Sequence, residues 1–293
     1  MSKSSPFGGT APHQQSNWDW RAAGNFIGGG SGSGLLVFGF AACLGGGLSA
    51  GLVALAGGAL IGLGLGCVWL EIGKPWRAVN VFFHPQTSWM TREGIVALAL
   101  YTVGGGAALL NSPGLLGVMA LIACGFVYCQ GRILLAARGI PAWREKRVLP
   151  LILATAATEG SGLALALTAP TGMAAPGMAQ AFLVVLAIRY LVWRSYLARL
   201  AAGKAPMGAV AAARRLSPPL GLAGHLLPAL LVLSGLSWAA ALAGMLAAAS
   251  GWGLKYVLVT RMALTQGFAL PVTPSRGRGT TGPGVRPGWG EAS

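Results

Sequence analysis

The chain has 293 residues, 54% of them hydrophobic and only 9% charged. A soluble domain of this size carries about a quarter charged residues, so this composition excludes an ordinary soluble protein and requires that most of the surface meet lipid. The formal net charge of +15 would point to nucleic acid in a soluble chain. Here it does not, because the cations collect in the connections between apolar runs, and no nucleic-acid partner is expected.

Residues 1–21, beginning MSKSSPFGGTAPHQQSNWDW, are polar and lack the basic-then-apolar layout of a cleavable signal. They read as an N-terminal cytoplasmic segment, and the first apolar run is expected to stay as a span. Crossing the hydrocarbon takes about 17–25 apolar residues. Within a membrane domain at 22–258, eight stretches qualify: Ala22–Gly45, Ala50–Leu70, Gly94–Leu110, Gly114–Leu135, Val148–Leu167, Met178–Leu197, Leu220–Leu236 and Ala239–Leu258. Only Ser-Gly-Leu-Ser at Ser234–Ser237 divides the last two, which leaves seven spans as an alternative. Residues 259–293, containing PVTPSRGRGTTGPGVRPGWGEAS, read as a disordered tail rich in Pro, Gly and Arg.

Lysines and arginines alternate with the connections. They occur in the N-terminal segment (Lys3, Arg21), the second–third loop (Lys74, Arg77, Arg92), the fourth–fifth (Arg132, Arg138, Arg144, Lys146, Arg147), the sixth–seventh (Arg194, Arg199, Lys204, Arg214, Arg215) and the C-terminal segment (Lys255, Arg261, Arg276, Arg278, Arg286). The intervening connections have none. Basic residues near span ends mark the cytoplasmic side. The expected fold is therefore all-α, a polytopic bundle of eight transmembrane helices with both termini cytoplasmic.

Small residues dominate the early helices. Gly58, Gly62 and Gly66 recur every four positions, and GGGSGSG follows Ile27. Such surfaces let backbones approach closely in lipid. No strand or P-loop lysine accompanies the glycine run, so a phosphate-binding loop has no support. Cys43, Cys67, Cys124 and Cys129 all lie in apolar runs, without disulfide or metal-knuckle spacing.

Two formal charges are read as lying deep in spans. Glu159 is about eleven residues into the fifth and Arg189 about eleven into the sixth, which puts both roughly 16 Å from a membrane face. Isolated charges are costly there, so a Glu159–Arg189 ion pair is expected, either as a static register pin or as part of a proton route or cavity wall. The histidines are His13, His84 and His225. A membrane b-type haem usually takes two histidines from within the bundle. Only His225 is placed there, so neither haem nor metal is expected in this chain. His225 is either a satisfied bundle histidine or a ligand-binding group.

The segment Trp69–Gly94, WLEIGKPWRAVNVFFHPQTSWMTREG, gathers acids, bases, tryptophans and a histidine between two apolar runs. Its EIGKPWRA (Glu71–Ala78) and TSWMTRE (Thr87–Glu93) resemble the second-to-third helix connection of the dimethyl sulfoxide reductase membrane-anchor family. That family is related to the polysulfide reductase, or NrfD-type, integral subunits. NWDWRAAGNF (Asn17–Phe26) and ARGIPAWRE (Ala137–Glu145) are similar to anchors of the same group.

The resemblance implies an anchor that exchanges electrons between an iron–sulfur subunit and membrane quinone, with a molybdopterin catalytic subunit beyond. Quinone, ubiquinone or menaquinone, would then be bound by this chain, with the metal centres in partner subunits of a bacterial inner-membrane complex. A His-x-Gly pattern is associated with the family's quinone pocket. Here Gly73 matches the glycine, while Glu71 stands where the histidine would be. A carboxylate with a raised pKa can still exchange a proton with a quinone oxygen.

Asn25, Glu71, Gly73, Trp76, Arg77 and His225 are the candidate quinone ligands. The tryptophans Trp69, Trp76 and Trp89 either wall a ring or sit in the interfacial belt. Arg77 and Arg92 either donate to a quinone oxygen or meet acidic groups of a soluble partner, and Lys74, Arg92 and Arg144 are the docking candidates. Glu93, beside a Thr91 cap, complements the third helix dipole. A docking face in the cytoplasm would suit relatives that oxidise sulfite or phenylacetyl-CoA. A secondary transporter or channel, and an inert structural anchor, are the alternatives.

Overall fold

The structure is a computed structural model and describes residues 11–71, 75–172, 177–268, 270, 272, 277 and 279–289. Gly73 and Lys74 lie outside the described residues. Trp76 and Arg77 fall in a short 3-10 helix, Pro75–Phe82, where their side chains are not described.

The described residues are built from helices. These are α1 (Trp20–Leu44), α2 (Ala50–Trp69), α3 (Trp89–Leu109), α4 (Pro113–Ala136), a single turn α5 (Pro141–Arg144), α6 (Val148–Thr168), α7 (Met178–Arg199), α8 (Met207–Gly221), α9 (Leu227–Leu233) and α10 (Ser237–Tyr256). A π turn, Leu222–Leu226, joins α8 to α9, and another carries α10 on to Arg261. Serines cap the starts where short turns end: Ser49 Oγ accepts from Leu52 N, Ser88 Oγ from Thr91 N and Ser112 Oγ from Leu115 N. The α3 cap is thus Ser88 and not Thr91.

Seven helical stretches are long and apolar enough to cross a membrane: Trp20–Leu44, Ala50–Trp69, Pro113–Ala136, Val148–Thr168, Met178–Lys204, Met207–Leu233 and Ser237–Arg261. The chain thus has transmembrane helical character. Helix α3 has 21 residues but is less apolar, because Arg92 and Glu93 occupy its start and Gly104–Gly106 its far half. The two last apolar runs are distinct helices, separated at Gly235, whose φ of 73° is left-handed. Large apolar side chains such as Leu55, Leu63, Leu121, Leu191 and Leu233 point outward. A surface of this kind is expected of a helix bundle immersed in lipid.

Helix α1 is the centre, packing against α2, α4, α6 and α10. Its glycines explain why. A methyl group on Gly28 would overlap the α2 backbone at Leu60 and Gly64, and one on Gly34 would overlap α6 at Ala156 and Gly160. Removing Cβ brings the two backbones into direct contact, which multiplies dispersion where lipid supplies no hydrophobic drive. Gly162 of α6 and Gly244 of α10 meet in the same way.

Both described ends of the chain lie at one end of the bundle. Gln15 N donates to Ala263 O at 3.0 Å and Thr265 N to His13 O at 2.8 Å. Trp18 stacks on Trp143 of α5 at 4.8 Å between centroids, and Trp143 Nε1 donates to Leu258 O at 2.8 Å. The boundary drawn at residue 258 therefore falls inside the last helix, and Val259, Met262 and Ala263 are buried.

Replacing Gly160 by Ala should force α1 and α6 apart and cost about 1–3 kcal/mol. Thermal unfolding of the detergent-solubilised protein would show a lowered midpoint. Gly105→Ala, where added atoms meet nothing within 4 Å, should leave the midpoint unchanged or slightly raised.

Candidate functional site

The starts of α1 and α3, the end of α2 and the start of α4's last turns converge at the basic end. Asp19 caps α1 by accepting from Arg21 N at 2.8 Å. Arg21 Nη1 in turn donates to Leu70 O at 3.1 Å, tying α1 to the orphan carbonyls that end α2. The Arg21 hydrogen bonds, with its charge, hold the Asp19 carboxyl below the ordinary range. Glu71 follows directly after α2. Desolvation raises its carboxyl above the ordinary value, the Asp19 charge adds to this, and Arg21 opposes it.

Asn25 of α1 and Glu93 of α3 are each 5% exposed. Asn25 Nδ2 donates to Glu93 Oε1 at 3.2 Å. Gln130 of α4, fully buried, donates from Nε2 to Asn25 O at 2.9 Å. The Gln130 bond identifies its amide nitrogen, since a main-chain carbonyl only accepts, and Asn25 turns Nδ2 to the Glu93 carboxyl. Asn25 Oδ1 and Gln130 Oε1 are consequently acceptors, and neither has a hydrogen-bond partner. Leaving a buried acceptor unpaired is costly, so such a group signals a missing ligand or water.

Three adjoining cavities lie at this end, all bordered by Val68 and Met90, and two of them are lined by Asn25 and Glu93. One of about 40 Å³ is lined by Trp18, Ala22, Asn25, Glu71 and Glu93. A second, of about 470 Å³, is lined by Trp18, Glu71, Asn80, His84, Ser88 and Thr91 and is the more polar side. The third, of about 270 Å³, runs from Asn25 and Glu93 along Leu65, Trp69, Phe82, Ala97, Leu98 and Tyr101. Leu98 and Trp69 are exposed, so this cleft opens on the surface that faces lipid. The arrangement suits an amphipathic ligand with a hydrogen-bonding ring and an apolar tail.

Asn25 and Glu71 line one cavity together with Glu93. Glu93 is a buried polar wall of the cavity and does more than complement the helix dipole. The sequence shows it only as an acid near the start of a membrane helix, where a charge also complements the helix dipole.

His225 does not join this group. It lies on the π turn between α8 and α9, with Nδ1 2.8 Å from Leu220 O and Nε2 3.2 Å from Arg189 Nε. The carbonyl can only accept and the guanidinium only donate, which assigns a neutral ring protonated at Nδ1.

The Glu159–Arg189 ion pair is not formed. Glu159 Oε2 accepts instead from Lys255 Nζ at 2.6 Å and from Ser31 Oγ at 2.9 Å, and all are buried. Trp252 Nε1 donates to Ser31 Oγ at 2.8 Å. Lys255, counted among the cytoplasmic cations, is therefore a third deep charge. Helix α10 runs on past it to Arg261, which carries its ammonium well inside the bundle. Arg189 is held by neutral groups: Nη1 donates to Ala247 O at 2.9 Å, and Nη2 to Gly224 O at 2.6 Å and Ser250 Oγ at 3.1 Å. The widened turn after Pro218 and Pro219 presents the Gly224 and Leu220 carbonyls to these side chains.

The docking candidates that are described donate to neutral groups of the chain itself. Arg144 Nη1 donates to Arg138 O at 3.1 Å and Gln266 Oε1 at 2.5 Å. Arg92 donates from Nε to Pro85 O at 2.8 Å and from Nη2 to Gln86 O at 2.9 Å. Among the described residues no group of three or more His, Cys, Asp or Glu is placed to hold a metal ion.

Set against known proteins, the chain matches no family model and no curated protein.

Removing one partner of a buried ion pair strands the other, at a cost of about 3–5 kcal/mol. Lys255→Met should therefore lower the folded yield and unfolding midpoint sharply. Adding Glu159→Gln should restore most of the loss. A midpoint for Lys255→Met equal to the parent protein's would show that the pair is not buried.

Proposed function

We propose that this chain is the quinone-reactive membrane subunit of a multi-subunit oxidoreductase. In this reading it spans a bacterial inner membrane eight times with its basic end, and both termini, in the cytoplasm. The observation that carries the proposal is the Glu93–Asn25 pair, buried beside an unpartnered amide oxygen, between a polar vestibule and an apolar cleft that opens toward lipid. The charge alternation of the loops supports the orientation. The resemblance of the Trp69–Gly94 segment supports the partners: an iron–sulfur subunit docked at the basic end and a molybdopterin catalytic subunit beyond it, acting on sulfite or phenylacetyl-CoA.

The residues present fit the reduced, quinol form, whose ring O–H could donate to the orphaned Asn25 Oδ1, while a protonated Glu93 carboxyl could donate to a quinone oxygen, which only accepts. A bound quinone would supply paired electron and proton transfer at its ring oxygens. Glu93 would hold and give up a proton at a ring oxygen, and Asn25 Nδ2 orients its carboxyl. Glu71, whose raised pKa favours retention of a proton, passes protons between the vestibule and Glu93. Leu65, Ala97 and Leu98 exclude water from the tail. No metal or haem is assigned to this chain.

Glu93→Gln keeps the shape and removes the titratable group. Since positioned acid–base groups contribute about 10²–10⁴-fold, quinone-linked turnover of the purified complex should fall at least about 100-fold with assembly intact. Sensitivity to a quinone-analogue inhibitor should change with it. Unaltered turnover and inhibition in this variant would contradict the site. Mild solubilisation should also recover iron–sulfur and molybdopterin chains. A lone homogeneous protein would favour a transporter instead, and an assembled complex indifferent to quinone analogues would favour an inert anchor.

A further inference from the structure

Trp89, the first residue of α3, carries two guanidinium groups on its ring. Arg92 Cζ lies 4.1 Å and Arg132 Cζ 4.3 Å from its centroid. Arg132 also donates from Nη1 to Tyr128 Oη at 2.8 Å. The Arg92 contacts to Pro85 and Gln86 are with neutral carbonyls. No described carboxylate forms an ion pair with either arginine. Two like charges are thus held at one indole by cation–π contacts and neutral groups alone, and their remaining N–H groups meet no described protein acceptor.

The surroundings indicate what neutralises them. Arg132 lies in the last turns of α4 and Arg92 in the first turn of α3, at the level where helix ends meet the headgroup region. From there Tyr128 and Leu121 of α4, with Ile95 and Leu98 of α3, form exposed apolar surface running toward the membrane interior. A soluble acidic partner would match the charges and leave this apolar column unexplained. A lipid matches both, its phosphate at the guanidiniums and its tails along α3 and α4.

We propose that Arg92, Trp89 and Arg132 form a binding site for the phosphodiester of an anionic phospholipid. Trp89 holds both guanidiniums at one ring, so two positive charges with free N–H donors are gathered where a phosphate can meet them. The site is independent of the quinone reading.

Native mass spectrometry of the full chain, purified in mild detergent, tests it. The probes are phosphatidylglycerol, phosphatidylcholine and inorganic phosphate. Phosphatidylglycerol should bind about tenfold tighter than phosphatidylcholine, and inorganic phosphate in excess should not displace it. Since an arginine near lipid phosphate contributes about 1 kcal/mol, Arg132→Gln should weaken phosphatidylglycerol binding about fivefold. Arg214→Gln, which removes an exposed cation of α8, should not. Arg132→Lys, which keeps the charge and loses the planar stack, should fall between and serves if the glutamine variant fails to accumulate. Equal binding of the two lipids, unchanged binding in both Arg132 variants, or displacement by inorganic phosphate would each overturn the lipid site. So would an acidic soluble protein that competes the lipid off.

Discussion

Lipid tails are as apolar as the side chains they meet, so helices in this bundle gain little from hiding leucine from solvent. What holds them is how closely their backbones approach α1. The run from Gly28 to Gly34 removes the side chains that would keep α2 and α6 at ordinary distance, and Gly57, Gly64 and Gly160 remove them on the facing helices. The polar chemistry of the interior is arranged along the same helix. Asn25 meets Glu93, Gly29 receives the Gln130 amide, Gly30 makes room for the Lys255 ammonium and Ser31 bonds Glu159. Packing and charge burial therefore share one helix, with Gly28 and Gly34 admitting neighbouring backbones and Gly29 and Gly30 admitting the Gln130 and Lys255 side chains.

This arrangement separates two kinds of polar group. Glu159, Lys255, Arg189 and His225 lie deep and are tied to one another or to helix carbonyls, which fixes the register of α1, α6, α7 and α10. Glu93 and Asn25 lie near the basic end, beside cavities, with an amide oxygen left open. A buried charge with strong internal partners stabilises a fold, whereas a buried acceptor with none is suited to take a ligand. Glu159 Oε1 is also without a hydrogen-bond partner, but Asn25 and Glu93 line a cavity and a cleft with exposed rims, which is why the proposed site is the pocket near the end of the bundle.

Much of the fold was legible because span length and loop charge follow directly from the bilayer. The eight apolar runs correspond to eight long helices among the described residues, although α3 is not apolar enough to count among the seven candidate spans. The seventh run is read from Leu220, whereas α8 starts at Met207 and passes through Pro218 and Pro219. The ion-pair partners were not legible. Depth along a helix can be counted from sequence, but the direction in which a side chain points around the axis cannot, and Arg189 turns to the π turn while Lys255 turns to Glu159. Lys255 was concealed by its place near Arg261, where a lysine ordinarily reaches for the interface. In the pocket, Asn25 and Glu71 could be found from their level in the membrane, and Gln130 could not, because one glutamine in an apolar helix carries no spacing signal.

The most direct test of the central claim is the effect of Gly30→Ala on thermal unfolding, measured in the parent protein and in a background carrying both Lys255→Met and Glu159→Gln. Helix propensity alone would make the alanine slightly stabilising. If the glycine face exists to admit the ion pair, the substitution lowers the midpoint steeply in the parent and little in the background without the pair. An equal effect in both would contradict the account.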